Sequence, residues 1–222
     1  MEVSNSNFNT VEDCAFINPV SQITGGRRYS FLVSKGLGNL FQRNYSSNGR
    51  HDFATGSRIT GPNAFIDGVA EEGNADIGPY HRWATGLLFE NIIASQIRVR
   101  NRGSAGSGHG WAGAQTMFWN VETYKDEVHV ESPERAINWG VGCYGPELKD
   151  DEYWDNWRNL VLPRSLYLQQ LKDRLGSTVL DNIASDDQKT GNILDRLTHW
   201  KEIGSLAFFW GVQSEPLPPF SS

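Results

Sequence analysis

Short apolar segments, each opened by an amide and closed by a small or amide residue, recur along the first two thirds of the chain. They read NTVEDC from Asn9, NLFQRN from Asn39, NAFIDG from Asn63 and QTMFWN from Gln115, with a weaker GLLFEN from Gly86. A second register places a histidine two residues before an aromatic: HDFATG from His51, HRWATG from His81 and HGWAGA from His109, flanked by the degenerate YSFLVS from Tyr29 and INWGVG from Ile137. Its aligned aromatics are Phe31, Phe53, Trp83, Trp111 and Trp139. Neither register has the spacing of an amphipathic helix, and short apolar runs between Gly and Asn read as strands. A repeat length in the twenties predicts an all-β solenoid, and its variable spacing a right-handed parallel β-helix with about five turns over residues 8 to 145. The recurring leucines of a leucine-rich repeat are missing.

The pattern stops after Cys143. PRSLYLQQLKDRLGSTVLDNI sets Leu168, Leu171, Leu175 and Val179 at helical spacing behind Pro163, TGNILDRLTHWKEI is a second helical stretch, and EPLPPFSS is a proline-rich tail. The expected division is therefore parallel β-helix turns over 1–146 and a helical, partly extended C-terminal cap over 147–222. A repeat that starts at Asn9 leaves no room for a polar cap, so apolar surface around Val11, Ala15 and Phe16 is expected to be exposed or covered by an oligomer or partner chain, and N-terminal turns are expected to be missing.

Composition narrows the function. The 222 residues carry a formal charge of -6, which disfavours a general nucleic-acid binder, while eight tryptophans and 23 glycines suit an aromatic, turn-rich β protein. Cys14 and Cys143 have no metal-ligand spacing, and no apolar run approaches the roughly 20 residues that span a bilayer. The N-terminal MEVSNSNFNT has neither region of an export signal.

In a β-helix, equivalent residues of successive turns stack about 4.8 Å apart. His51, His81 and His109 are then expected to form one column beside Phe53, Trp83 and Trp111, with Asp52 and Arg82 on the other strand face. Periodicity leaves two assignments open. In one, the aromatics fill the interior and the imidazoles bond to backbone there. In the other, histidines and indoles line an external groove, where indoles pack on sugar C–H surfaces and imidazoles exchange protons near neutral pH.

Arg50, His51, Asp52, Asp76, His81, Arg82 and His109 together supply cation, base and acid, and are the candidate catalytic residues. That is the inventory of a polysaccharide lyase, with His81 or His109 as base and Arg82 neutralising a uronate carboxylate. A hydrolase would use carboxylates instead, for which Asp52, Asp67, Asp76 and Glu90 are available. Substrate contacts are expected from Trp83, Trp111, Gln115 and the period-two row Arg98, Arg100 and Arg102, which reads either as a solvated strand face or as a guanidinium row for an anionic polymer. Gly103, Gly106, Gly108 and Gly110 are not a dinucleotide fingerprint, since no helix is expected after them.

The stretches GRHDF, GPNAFID, DIGPYHRWATG, GHGWAGAQTMFWN and PRSLYLQQLKDRLG resemble the C-terminal half of the secreted, pectate-lyase-like right-handed β-helix proteins, over about residues 8 to 180. The resemblance implies an extracellular protein acting on or binding a polysaccharide, with lyase, hydrolase, epimerase and binding-only members to choose from. It carries over no lyase's catalytic lysine or arginine and no calcium-binding aspartates. The cofactor is unknown, calcium being the candidate metal without a ligand motif. The expected partner is a polysaccharide, with lyase-like elimination of an acidic glycan preferred, and neither nucleic acid nor membrane is expected. The alternative is a non-catalytic glycan-binding or structural module of adhesin or tail-spike type.

Overall fold

Asn9, Asn39 and Asn63, which open successive apolar segments, lie one above another. Asn9 Nδ2 donates to Asn39 Oδ1 at 2.8 Å and Asn39 Nδ2 to Asn63 Oδ1 at 3.0 Å, and the same two oxygens accept the backbone N–H of Asn9 and Asn39. Each amide thereby satisfies the main chain beside it, as a buried polar group must. The computed structural model describes residues 1–149 and 153–203. The segments behind these asparagines belong to one parallel sheet in which Thr10–Glu12, Leu40–Ser47, Thr60–Glu71, Ala84–Ala94, Gly113–Trp119, Trp139–Val141 and Tyr153–Asp155 pair in that order. A second parallel sheet joins Glu2–Val3, Tyr29–Val33, His51–Thr55 and Gly78–Pro79. A third joins Ile97–Val99, Val128–Val130 and Leu148–Lys149, linked to the second by a bridge from Ile77 to Ile97. The molecule is thus mostly β with parallel sheets, as the repeats led us to expect.

The long strands bend at one shared position. Glu12, Gln42, Ile66, Glu90, Trp119, Val141 and Asp155 are in register, and the residue after each, namely Asp13, Arg43, Asp67, Asn91, Asn120, Gly142 and Asn156, has positive φ. Asn, Asp and Gly tolerate this left-handed conformation best, which accounts for the amides and acids that recur there. Arg43 is the exception, and Asp13 grips its guanidinium at 2.8 Å through both Nε and Nη2.

Between the sheets, Phe41, Phe65, Phe89 and Phe118 stack at centroid separations of 4.8, 5.0 and 5.2 Å, and Phe31 stacks on Phe53 at 5.5 Å. Such offset stacking suits aromatic quadrupoles and fills a narrow interior. The aromatic column expected from the second register holds only for its first pair. Phe31 and Phe53 are in register and buried, but Trp83 is 46% exposed, Trp111 is half-buried outside the sheets, and Trp139 belongs to the long sheet opposite Met117. HDFATG lies in the second sheet, whereas the ATG of HRWATG begins a strand of the long sheet. Similar strings fall on different sheets because the connections between them differ in length.

Helix is concentrated after Pro163, apart from one distorted turn at Ala105–Gly108. Ser165 caps Leu166–Leu175 by accepting from Leu168 N, and the helix stops at Gly176, so Val179 starts a separate helix, Val179–Ile183. Helices Asp186–Thr190, Ile193–Thr198 and Trp200–Ile203 follow, and Ile193, Leu197 and Trp200 pack on Tyr45 and Val69 of the long sheet. The boundary expected after residue 146 falls inside the sheets, since Leu148–Lys149 and Tyr153–Asp155 still pair with them. The tail EPLPPFSS lies outside the described residues.

At the N-terminal edge, Val11 faces inward and is 9% exposed, with Ala15 and Phe16 half-buried, so these three do not form the expected open surface. The alternation within Thr10–Glu12 turns Thr10 and Glu12 outward instead. Met1, Phe8, Ile17, Val20 and Ile23 are the exposed large apolar groups here.

Candidate functional site

Strand ends of the second sheet and the loops after Pro79 and Val99 surround a cleft of about 600 Å³ whose polar and aromatic lining is Glu2, Arg28, Tyr29, Arg50, Tyr80, His81 and His109. His81 and His109 stack face to face at 5.2 Å. Tyr80 lies 5.1 Å from His81 and 5.9 Å from Tyr29 between ring centroids. Arg50 Nη2 donates to Tyr80 Oη at 3.2 Å, while the Arg102 guanidinium sits 4.1 Å from the Tyr80 ring centroid and donates to the Tyr80 carbonyl. Arg82 is held by the Ser107 hydroxyl at 2.9 Å, and Arg28 by Ser21 O at 2.6 Å. Among the described residues, none of these four arginines forms an ion pair. Neutral acceptors fix them, so four guanidiniums face the two carboxylates near the cleft, Glu2 and Asp76, without a direct carboxylate partner, an excess of positive charge that favours an anion.

Six of the seven candidate catalytic residues gather in or beside this cleft. His51 lies behind the cleft, buried between Tyr29 and Tyr80 at centroid distances of 5.3 and 3.6 Å, with Nδ1 2.8 Å from the Asp76 carbonyl oxygen. Burial drives its pKa down to about 4 against the pull of Asp76, so it is neutral at pH 7. His81 also falls below the ordinary imidazole value, through burial and then the neighbouring His109 and Arg102, and His109 does so through burial and then Arg102 and Arg82. Both therefore present a neutral imidazole near neutral pH. Burial raises the Tyr29 pKa and keeps its phenol protonated.

Asp52 is the seventh, and it is elsewhere. Its Oδ1 accepts from the hydroxyls of Ser30 and Ser46, on strands of two different sheets, so the side chain lies between the sheets with Phe53 rather than on an opposite face. Alternation cannot separate them because every residue of the strand His51–Thr55 is buried, on both of its faces. Burial raises the Asp52 pKa.

The arginine row does not stay together. Arg98 pairs with Glu127 at 2.9 Å and Asp126 at 3.7 Å, the carbonyl of Arg100 accepts from Ala112 N, and Arg102, outside the lining itself, lies against the Tyr80 ring that lines the cleft. The strand that was to align them ends at Val99. Trp83, Trp111 and Gln115 are outside the cleft lining, and Gln115 is exposed on the long sheet. Tyr29 and Tyr80 are the residues sequence reasoning passed over, although Tyr29 stood at the place of His51 in the second register and Tyr80 lies inside DIGPYHRW.

In the loop GSGHG, Gly106 makes room for His109, while Gly108, where a Cβ would meet nothing, serves a left-handed turn. The segment is closed by Arg102 N to Gly110 O at 2.7 Å and Gly110 N to Gly103 O at 3.0 Å, and it turns through residues of positive φ. At Gly106 a Cβ would collide with the His109 imidazole, and φ is 62°. Gly106→Ala is therefore expected to displace His109 and weaken any ligand binding about as much as His109→Ala, while costing about 1 to 3 kcal/mol in a urea melt through the strained backbone.

Of the carboxylates weighed for hydrolysis, Asp76 stays beside the cleft against His51, and Asp52, Asp67 and Glu90 are removed from it. Asp67 and Glu90 are fully buried beneath the helical segment, where Arg164 and Gln188 bond to Asp67 and the Ser165 hydroxyl and Tyr167 N bond to Glu90. Burial raises the Glu90 pKa from 4.5 to about 7 in spite of these bonds. Between those values the folded state holds a proton that the unfolded state has lost, so this group's stabilisation falls as pH rises from 4.5 to about 7. His51 acts in the opposite direction below its ordinary value, so the parent protein shows the sum. Glu90→Gln is expected to make stability rise more steeply with pH across this range than in the parent, as read from urea midpoints. Among the described residues no group of three or more His, Cys, Asp or Glu side chains is placed to hold a metal ion, and no helix is long and apolar enough to cross a membrane. Comparison with known proteins finds no matching family model and no similar curated protein or solved structure.

Proposed function

We propose that the parallel sheets are the faces of a right-handed β-helix of pectate-lyase-like kind, and that the cleft binds an extracellular acidic polysaccharide and cleaves it by β-elimination. The observation that carries this reading is the set of arginines without carboxylate partners, Arg28, Arg50, Arg82 and Arg102, around the stacked His81 and His109. Asp52, Asp67 and Glu90 are buried away from the cleft, and the arginines outnumber the two carboxylates left there, Glu2 and Asp76, which supports elimination of an acidic glycan over a two-carboxylate hydrolysis. In this reading an arginine neutralises the uronate carboxylate and so acidifies its α-proton. Neutral His81 or His109 takes that proton, the electron pair forms the new carbon–carbon double bond, and the glycosidic C–O bond breaks. The leaving oxygen takes a proton from the Tyr29 hydroxyl, which the imidazolium restores through solvent.

The test is incubation with polygalacturonate, alginate and hyaluronate, following the ultraviolet absorbance of the unsaturated product and retardation of the protein by each polymer. Growth of absorbance with at least one polymer, and none with a neutral glucan, is expected. Retardation without absorbance would replace the lyase by the non-catalytic glycan-binding module, and indifference to all three polymers would end the glycan reading.

A further inference from the structure

We infer that Tyr80 is the positioning residue of the cleft, the group that holds Arg50 and Arg102 at a fixed separation for an acidic chain; the inference rests on the acidic-glycan reading above. Tyr80 engages both guanidiniums by different parts of itself. Its hydroxyl accepts from Arg50 at 3.2 Å, and its ring and carbonyl hold Arg102, whose guanidinium carbon is 4.1 Å from the ring centroid. A long arginine side chain loses rotamer freedom when it binds, and holding it in advance reduces that loss. Tyr80 is itself held from behind. The His51 ring lies 3.6 Å from it between centroids, and the Nδ1 of that histidine is tied to the Asp76 carbonyl at 2.8 Å. The chain of contacts gives buried His51 a role without proton transfer: it sets the tyrosine that sets the arginines.

Positioning and charge leave different signatures. Removing a charge lowers both affinity and its dependence on salt, because fewer counterions are released, whereas loosening a charge that remains lowers affinity alone. Binding of the parent, Tyr80→Phe, Tyr80→Leu and Arg50→Ala proteins to polygalacturonate, alginate and hyaluronate is measured by titration at several salt concentrations, with a thermal melt of each. Tyr80→Phe, which loses only the bond to Arg50, is expected to bind about fivefold to tenfold more weakly with an unchanged salt slope and melt. Arg50→Ala is expected to lower the slope. Parent-like affinity in both Tyr80 variants, with Arg50→Ala impaired, would overturn the role of Tyr80 and leave the glycan reading standing. A reduced slope in Tyr80→Phe would overturn it too, by showing that a charge was lost. Failure of the parent protein to bind any of the three polymers overturns the glycan reading and this inference together.

Discussion

Asp67→Ala is expected to destabilise the protein by about 3 to 5 kcal/mol, the usual consequence of breaking a buried charge pair from one side. Asp67 is fully buried at the left-handed bend of its strand and accepts from Arg164 Nη1 at 2.8 Å and Gln188 Nε2 at 2.7 Å. Gln188 also accepts from Arg43 at 2.7 Å, and Arg43 is gripped by Asp13. One carboxylate thus ties the strand bends to both the start of the first C-terminal helix and the short helix Asp186–Thr190. Its loss leaves Arg164 partly buried without its anion and Gln188 short of an acceptor. For a chain of this size the change should lower the melting temperature by roughly 10 °C. Asp67→Asn, which keeps the bend and one acceptor, should lose less. A melt of Asp67→Ala within a degree or two of the parent would show that the helical segment is not anchored here.

That anchoring could not be read from the sequence. Asp67 and Glu90 stood out as carboxylates in regularly repeated segments, and a carboxylate in such a place is equally suited to catalysis and to holding another element. What decided between them was the return of residues 164–188 over the sheet, a long-range contact that no local pattern encodes. The amide repeat was legible for the opposite reason. Asn39 and Asn63 each accept the backbone N–H of the preceding asparagine, Asn9 and Asn39, so register and sequence spacing coincide. The register slips by one residue beyond Asn63, whose partner is Leu87 rather than Gly86, where the pairing is irregular between Thr60 and Asn63.

The histidine register was half legible. Tyr29 and His51 do pair, and so do Phe31 and Phe53. His81 and His109 do face each other, but through loops rather than through the second sheet, since the strand after each joins the long sheet at Ala84 and Gly113. The similarity of HDFATG to HRWATG is a coincidence of short strings, and it led the three imidazoles to be placed in one column. Gathering still occurred because both loops leave the same edge of the structure, which brings Arg50, His51, Asp76, His81, Arg82 and His109 together while Asp52 turns inward.

His109→Ala is the substitution with the largest expected functional effect: loss of acidic-glycan binding or turnover with a nearly unchanged melting temperature. His51, by contrast, is buried and stacked, and His51→Ala should unfold the cleft and lower stability together. His109 is half-buried at the end of an exposed glycine loop and meets the rest of the molecule chiefly through the His81 ring at 5.2 Å. Few contacts are lost on truncation, so the stability change should stay below about 1 kcal/mol, as for surface positions generally. In the cleft the same truncation removes one of the two neutral imidazoles and frees its partner to rotate. His81→Ala should repeat the functional loss with a somewhat larger fall in melting temperature, because His81 also packs on Tyr80 and Tyr29. The measurements are thermal melts and polymer titrations on all three variants. If His109→Ala and His81→Ala bind polymer as the parent does, the imidazole pair serves the loop rather than a ligand. If both unfold with the melt of His51→Ala, the pair is a structural stack that merely borders the cleft.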